Sequence, residues 1–373
     1  MRTEGPLQGI AVVELGGIGP APFAGMVLAD LGCDVLRITR PGQAARHVPE
    51  EHEVLHRGRP ALPVDLSTAA GRRTARHLVA RADVLIEGFR PGVMERLGLG
   101  PDDCAAVNAR LLYARMTGWG QDGPLARRAG HDINYLALSG ALSLIGPRGG
   151  APTPPVNLLA DFGGGGMLLV AGVLAGLVER ARSGRGQVVD AAMVDGVGLL
   201  LAMTWSLRNA GAWRDERGSN LLDGGAPFYD VYLCADGGHV ALGALEPQFW
   251  DAFVDGVAAV ADTSRWPDRA DVEQWPRLRA CIAAALLQRD RDEWAAHFAS
   301  SDACLTPVLS MAEAAAHPHL RRRGAHAPAP AGGSQPAPAP RFSRTPGGLA
   351  APGDAATAYA RWGLRADGTL DGD

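Results

Sequence analysis

Residues 10–31 read IAVVELGGIGPAPFAGMVLADL, and this stretch decides the fold. Ile10–Leu15 is apolar on both faces except at Glu14, the pattern of a strand buried inside a parallel sheet. Gly16, Gly17 and Gly19 then turn the chain into a helix over roughly Pro20–Leu31. Working outward, the same unit recurs. Asp34–Thr39 is a second strand ending at Arg40, and Ala61–Asp65 a third, followed by a helix capped by Ser67. Asp83–Glu87 is a fourth, ending in the turn Gly88-Phe89-Arg90-Pro91-Gly92. Short helices at Val93–Leu97 and Asp102–Ala109 lead to the strand Leu111–Met116. Repeated βα units predict an α/β fold, a parallel sheet with helices on both faces.

Farther along, the pattern is helical over Asn134–Ile145. A long apolar helix opens at the glycine run Gly163–Gly166 and ends near Gly184. Gln187–Ala192 is a further strand and Val197–Arg208 a further helix. After about Ala210 the texture changes, and residues 211–228 read as a polar, glycine-bearing linker. Two strands, Tyr229–Cys234 and His239–Leu245, flank Ala235-Asp236-Gly237-Gly238, a hairpin signal. They open a smaller α+β domain over 229–325. Residues 325–355 are rich in Pro, Ala and Gly, which favours an extended path.

At 373 residues the chain is too long for one compact core. Hydrophobic residues make up 47% and charged residues 20%, so it is an ordinary folded protein. A net charge of -4 argues against nucleic acid, which needs a basic excess. The five cysteines are odd in number and widely spaced, without a CxxC pair, so neither a disulfide framework nor a metal site is indicated. A reducing cytosol fits best, and a cytoplasmic location is expected. The N-terminal MRTEGPLQG lacks the apolar core of a secretory signal. The run Met167–Val178 is too short to span a bilayer and reads as a buried helix, so no membrane is expected.

Four places carry candidate chemistry. The glycines after the first strand do not match GxGxxG, and Arg40 stands where a dinucleotide fold places an acid for a ribose hydroxyl. An arginine there suits a ribose phosphate, so Arg40, Arg90 and Arg96 form a candidate cradle for a phosphate-bearing ligand, coenzyme A among them. His131, in Gly130-His131-Asp132-Ile133-Asn134-Tyr135, lies between a strand-end loop and an apolar helix, suited to general acid–base work. By position alone it serves equally as a helix cap. The other histidines, including His47, His52 and His56 in a charged stretch, lack such a setting. Asp161 precedes Phe162 and four glycines. A capping carboxylate would account for it, but four glycines strip the surface bare, as close approach of a ligand or another backbone requires. Glu246, before Pro247, is explained by an ordinary helix start. There is no P-loop, GxSxG elbow or HExxH.

These residues also carry a family likeness. Val12-Val13-Glu14-Leu15, Met26–Gly32, Arg37–Pro41 and Ala82–Val93 resemble the family III CoA-transferases. The stretch from Ala114 through Gly120, GHDINY at 130–135, Asp161-Phe162-Gly163-Gly164-Gly165 and Pro340–Arg344 resemble the branch of that family that racemises 2-methylacyl-CoA thioesters. The likeness spans about residues 6 to 345.

The resemblance implies an interlocked homodimer. Each chain would have a large nucleotide-fold-like CoA-binding domain, 1–210, completed by 326–373, and a small domain, with the active site between subunits. It implies that His131 and Asp161 are an acid–base pair, with Glu246 near the histidine. It further implies that Arg40, Val64, Asp65, Leu66, Ser67, Gly88, Phe89, Arg90, Arg96, Gly130, Asp132, Ile133, Asn134 and Tyr135 contact coenzyme A. No metal or separate cofactor is implied, since coenzyme A is part of the substrate. Ser67 departs from the family, whose racemases tend to have lysine there. Two other functions compete: a true CoA-transferase, with Asp161 as nucleophile through a mixed anhydride, and an acyl-CoA-binding protein without turnover.

Overall fold

The structure, a computed structural model, describes residues 5–42, 48–349 and 355–370; His47 lies outside them. The chain divides into two compact units, one of Met1–Ser139, Val156–Leu200 and Pro318–Asp373, the other of Gly140–Pro155 and Leu201–His317.

In the first unit the order is β1 (Ala11–Leu15), α1 (Pro20–Asp30), β2 (Asp34–Thr39), β3 (Ala61–Pro63), α2 (Ala69–Val79), β4 (Val84–Glu87), α3 (Val93–Arg96), α4 (Pro101–Val107), β5 (Leu112–Thr117) and α5 (Asp132–Ser139). A π-helix (Leu158–Met167) runs on into α6 (Leu168–Ser183), then come β6 (Gln187–Ala192) and α7 (Met193–Leu200). Six parallel strands form one sheet in the order β3-β2-β1-β4-β5-β6. That order reverses direction between β1 and β4, the place where ligands bind outside the carboxyl ends of strands.

Glu14, the one charged residue of β1, is fully buried, and its carboxylate meets the equally buried Arg59 guanidinium. Gly25 of α1 makes this possible, because a Cβ there would overlap both groups. The paired charges explain how an acid survives inside a two-sided sheet.

The second unit holds α8 (Ala202–Asn209), β7 (Tyr229–Leu233), β8 (His239–Gly243), α9 (Pro247–Val257), α10 (Trp275–Leu286), α11 (Arg291–His297), β9 (Leu305–Pro307) and α12 (Met311–Ala316). Its three strands are antiparallel in the order β7-β8-β9, and the expected hairpin is β7–β8. Residues 211–228 lie within this unit. There Asn220 and Asp223 hydrogen-bond the backbone of Arg214, Gly218 and Gly225 into an ordered loop. The chain then returns to the first unit as α13 (Pro318–Arg322), the hairpin β10 (His326–Pro328) and β11 (Ser334–Pro336), and α14 (Ala355–Arg361). Tyr359, Trp362 and Leu364 join the core beside Leu62, Val64 and Leu78.

Several local expectations change. The helix placed over 134–145 starts at Asp132 and stops at Ser139, because Gly140 adopts a left-handed φ of 88°. Thr68, rather than Ser67, caps α2 by accepting the Gly71 N–H at 3.0 Å, while the Ser67 hydroxyl donates to Asp65. The helix expected over Val197–Arg208 is two helices, α7 and α8. The four glycines lie not at the opening of a helix but inside a continuous one that starts at Leu158. With its π-helical start that helix spans 26 residues, long and apolar enough by length and composition to cross a bilayer. It is instead packed into the α/β unit. Gly172 lies against Val189 of β6 and Gly176 against Leu112 of β5.

Candidate active site

The carboxyl ends of all six parallel strands open onto one cavity of about 770 Å³ in the first unit. Gly16–Ile18 follow β1, Arg40 follows β2, Val64–Ser67 follow β3 and Gly88–Pro91 follow β4. Gly118 and Trp119 follow β5, and Met193 follows β6. His131, Tyr135 and Asp161 complete the wall.

His131 stands at the entrance to α5, and its backbone is fixed on both sides. Its N–H donates to the Asn134 side-chain oxygen at 3.0 Å, and its carbonyl accepts the Asn134 N–H at 2.8 Å. The side chain is left exposed to the cavity. Asp161 comes from the first turn of the π-helix, a form that gathers at functional sites. It is half-buried, and the Asn157 amide donates to its Oδ2 at 3.3 Å. Burial pushes the Asp161 carboxyl above the usual carboxylate range, and the nearby Asp132 pushes the same way. The Asn157 hydrogen bond and the charge of His131 oppose them.

The glycine run fits this helix against its neighbours. A Cβ on Gly164 would lie 2.7 Å from the Val197 nitrogen of α7, and one on Gly166 would strike Phe23 of α1. Across from the carboxylate, Gly19 has φ 68°, and a Cβ there would lie 2.9 Å from Asp161 Oδ2. Bare backbone at Gly19 therefore lies against the carboxylate. Tyr135 packs edge-on against Trp119, with ring centroids 4.7 Å apart. Burial and the charge of Asp161 push its phenol up to about 12, so the hydroxyl stays protonated.

The structure thus brings Arg40, Val64, Asp65, Leu66, Ser67, Gly88, Phe89, Arg90, Gly130, His131, Tyr135 and Asp161 around one cavity. Other expected contacts fall elsewhere. Arg96 is exposed on α3 with its guanidinium beside Gly92, away from the cavity wall. Asp132 is buried, 7% exposed, and turned towards backbone. Ile133 and Asn134 are exposed on α5 outside the cavity wall, and Asn134 is occupied with the backbone of His131. Glu246 belongs to the second unit, where it immediately precedes α9. Arg128 and Met193 line the cavity but were not singled out. Both lie beyond strand ends, β5 and β6, which was the one signal pointing to them.

A parallel sheet of this order, with an arginine rather than an acid after its second strand and a histidine and a carboxyl group in one cavity, is a nucleotide-fold-like arrangement with a ligand cavity suited to a phosphate-bearing ligand. The sequence signature of CoA-transferase family III matches residues 7–353, and the chain belongs to that family. It is 46% identical to alpha-methylacyl-CoA racemase of Mus musculus over 340 residues, covering 91% of this chain and 87% of the mouse protein. The Homo sapiens alpha-methylacyl-CoA racemase is 44% identical over 342 residues, with the same coverage. Among solved structures, a CAIB/BAIF family protein from Brucella suis shares the fold with a TM-score of 0.81 at 27% identity, covering 96% of this chain and all of that one.

Proposed function

We propose that this chain interconverts the two enantiomers of 2-methylacyl-CoA thioesters by moving the α-proton, with His131 and Asp161 as the acid–base pair. The observation that carries the reading is the presence of both groups on the wall of one cavity, beside backbone-lined strand ends suited to a coenzyme A arm. The mouse and human racemases, similar over most of their length, supply the substrate class.

The thioester carbonyl acidifies the neighbouring C–H, and the proton leaves to one group as the electron pair moves onto the carbonyl oxygen. The resulting enolate is planar at the α-carbon. Return of a proton from the group on the opposite face inverts the centre, and the two groups exchange roles in the reverse direction. Arg40 and Arg90 are the cavity-lining expected cations and would meet coenzyme A phosphates. Glu246 would reach the histidine in an interlocked homodimer, which completes the site. No cofactor beyond the substrate's own coenzyme A enters the scheme, and the expected location is cytoplasmic.

Solvent deuterium entering the α-carbon of a 2-methylacyl-CoA tests the reading. Full exchange by His131→Ala or Asp161→Ala would refute it. Transfer of CoA between an acyl-CoA and a free carboxylic acid would instead favour Asp161 as a nucleophile. Binding of thioester with neither reaction would favour a non-catalytic binder.

A further inference from the structure

We infer that Asp132 is a positioning residue that ties the histidine-bearing helix to the carboxylate-bearing helix and so sets how His131 and Asp161 face each other. The inference deepens the racemase reading and rests on it. The first turn of any helix leaves backbone N–H groups without partners inside the helix. Asn157, at the N-cap of the π-helix, has a side chain of the usual capping kind but makes no cap; its amide is turned to Asp161 Oδ2. The cap comes instead from a different element. Asp132 Oδ2 accepts the Ala160 N–H at 2.9 Å and the Asp161 N–H at 2.8 Å. Asp132 directly follows His131 in the chain, so one carboxylate joins the backbones of both proposed catalytic residues.

A buried carboxylate is costly unless hydrogen-bonded and charge-compensated. Two N–H groups and the positive end of the helix supply that compensation. Its other oxygen, Oδ1, is buried without a hydrogen-bond partner among the described residues, so the charge is only partly quenched. The charged and titratable groups acting on Asp161 are Asp132 and His131, and Asp161 in turn acts on Tyr135. Asp132 is absent from the cavity wall. A substrate contact therefore does not account for it.

The test compares Asp132→Ala with Asp132→Asn in α-deuterium exchange from a 2-methylacyl-CoA. Misplacing a catalytic group by about 1 Å costs on the order of a hundredfold in rate. Asp132→Ala is expected to lower kcat by about that factor, with KM for the thioester within about threefold of wild type. Asp132→Asn keeps an acceptor oxygen in place and should restore most of kcat. In both variants the limb of the pH profile belonging to Asp161 should move to lower pH, because a repelling charge is gone. An unchanged kcat in Asp132→Ala, a raised KM at unchanged kcat, or no recovery in Asp132→Asn overturns the inference. Should Asp132→Ala fail to fold, unprotected Ala160 and Asp161 amides in the wild type overturn it alone. Hydrogen exchange of the Ala160 and Asp161 amides, protected in wild type and exposed by loss of the carboxylate, separates the two levels. If wild type moves no α-proton the racemase reading falls, while the amides still decide the clamp.

Discussion

Gly164→Ala should unfold the first unit earlier and slow proton exchange, and the size of the effect follows from the helix crossing. The new Cβ would sit 2.7 Å from the Val197 nitrogen, 2.9 Å from the Gly196 carbonyl carbon and 3.2 Å from Val197 Cγ2. The two nearest atoms are backbone, so no side chain can swing away. Overpacking of this kind costs about 1–3 kcal/mol, and a backbone neighbour puts it at the upper end. Alanine recovers about 1 kcal/mol of helix propensity over glycine, leaving about 2 kcal/mol of destabilisation. For a unit of this size that is a fall in Tm of about 4–8 °C. The control is Gly198→Ala in α7, where an added Cβ meets nothing within 4 Å. There only the propensity gain acts, and Tm should rise by about 2–4 °C. Thermal unfolding of the two variants by calorimetry reads both values. Because Gly164 lies three residues beyond Asp161, exchange should also drop about tenfold or more in Gly164→Ala alone. Equal Tm changes of the same sign in both variants would refute the close-crossing account of the glycine run.

Asp161→Asn should abolish exchange yet raise Tm at pH 7. The folded carboxyl titrates above its unfolded range, so the folded state binds more protons in that window and stability falls as pH rises through it. A neutral amide escapes that loss, and the gain should vanish below the ordinary carboxylate range; a lower Tm at pH 7 than wild type would contradict the assignment. Arg40→Ala should raise KM for CoA thioesters by about tenfold at unchanged kcat, the low end for an exposed charge-assisted contact. The same substitution should leave turnover of the matching pantetheine thioester, which lacks the nucleotide phosphates, unaltered, and kinetics with both substrates checks this.

The sheet was legible because its central strands, buried on both faces, read as largely apolar runs, and the outward repetition from residues 10–31 placed the strands in sequence order. The strand ends then located the cavity, since ligands gather there in folds of this kind. The helix carrying Asp161 was harder. A hydrophobic run interrupted by four glycines reads as a helix opening at them, because glycine lowers helix propensity, whereas the helix starts at Leu158. Only the backbone crossing at Gly196 shows why the glycines belong inside. α14 was invisible for the opposite reason: Ala355–Arg361 sits in Ala- and Pro-rich surroundings, and its anchors Tyr359, Trp362 and Leu364 find their core partners nearly 300 residues upstream. Asp132 was put among the expected coenzyme A contacts by the family resemblance of Gly130–Tyr135. Its true partners, 28 and 29 residues away, leave no periodic trace.

On the racemase reading, the two groups must be close in proton affinity, because each takes the proton in one direction and returns it in the other. Ordinary Asp and His side chains are separated by roughly two and a half pKa units. The local architecture moves the carboxyl upward from its ordinary value. Partial burial between the π-helix and the bare backbone at Gly19 raises Asp161, and the neighbouring carboxylate of Asp132 adds to the rise. The Asn157 amide, donating to Asp161 Oδ2, opposes that rise.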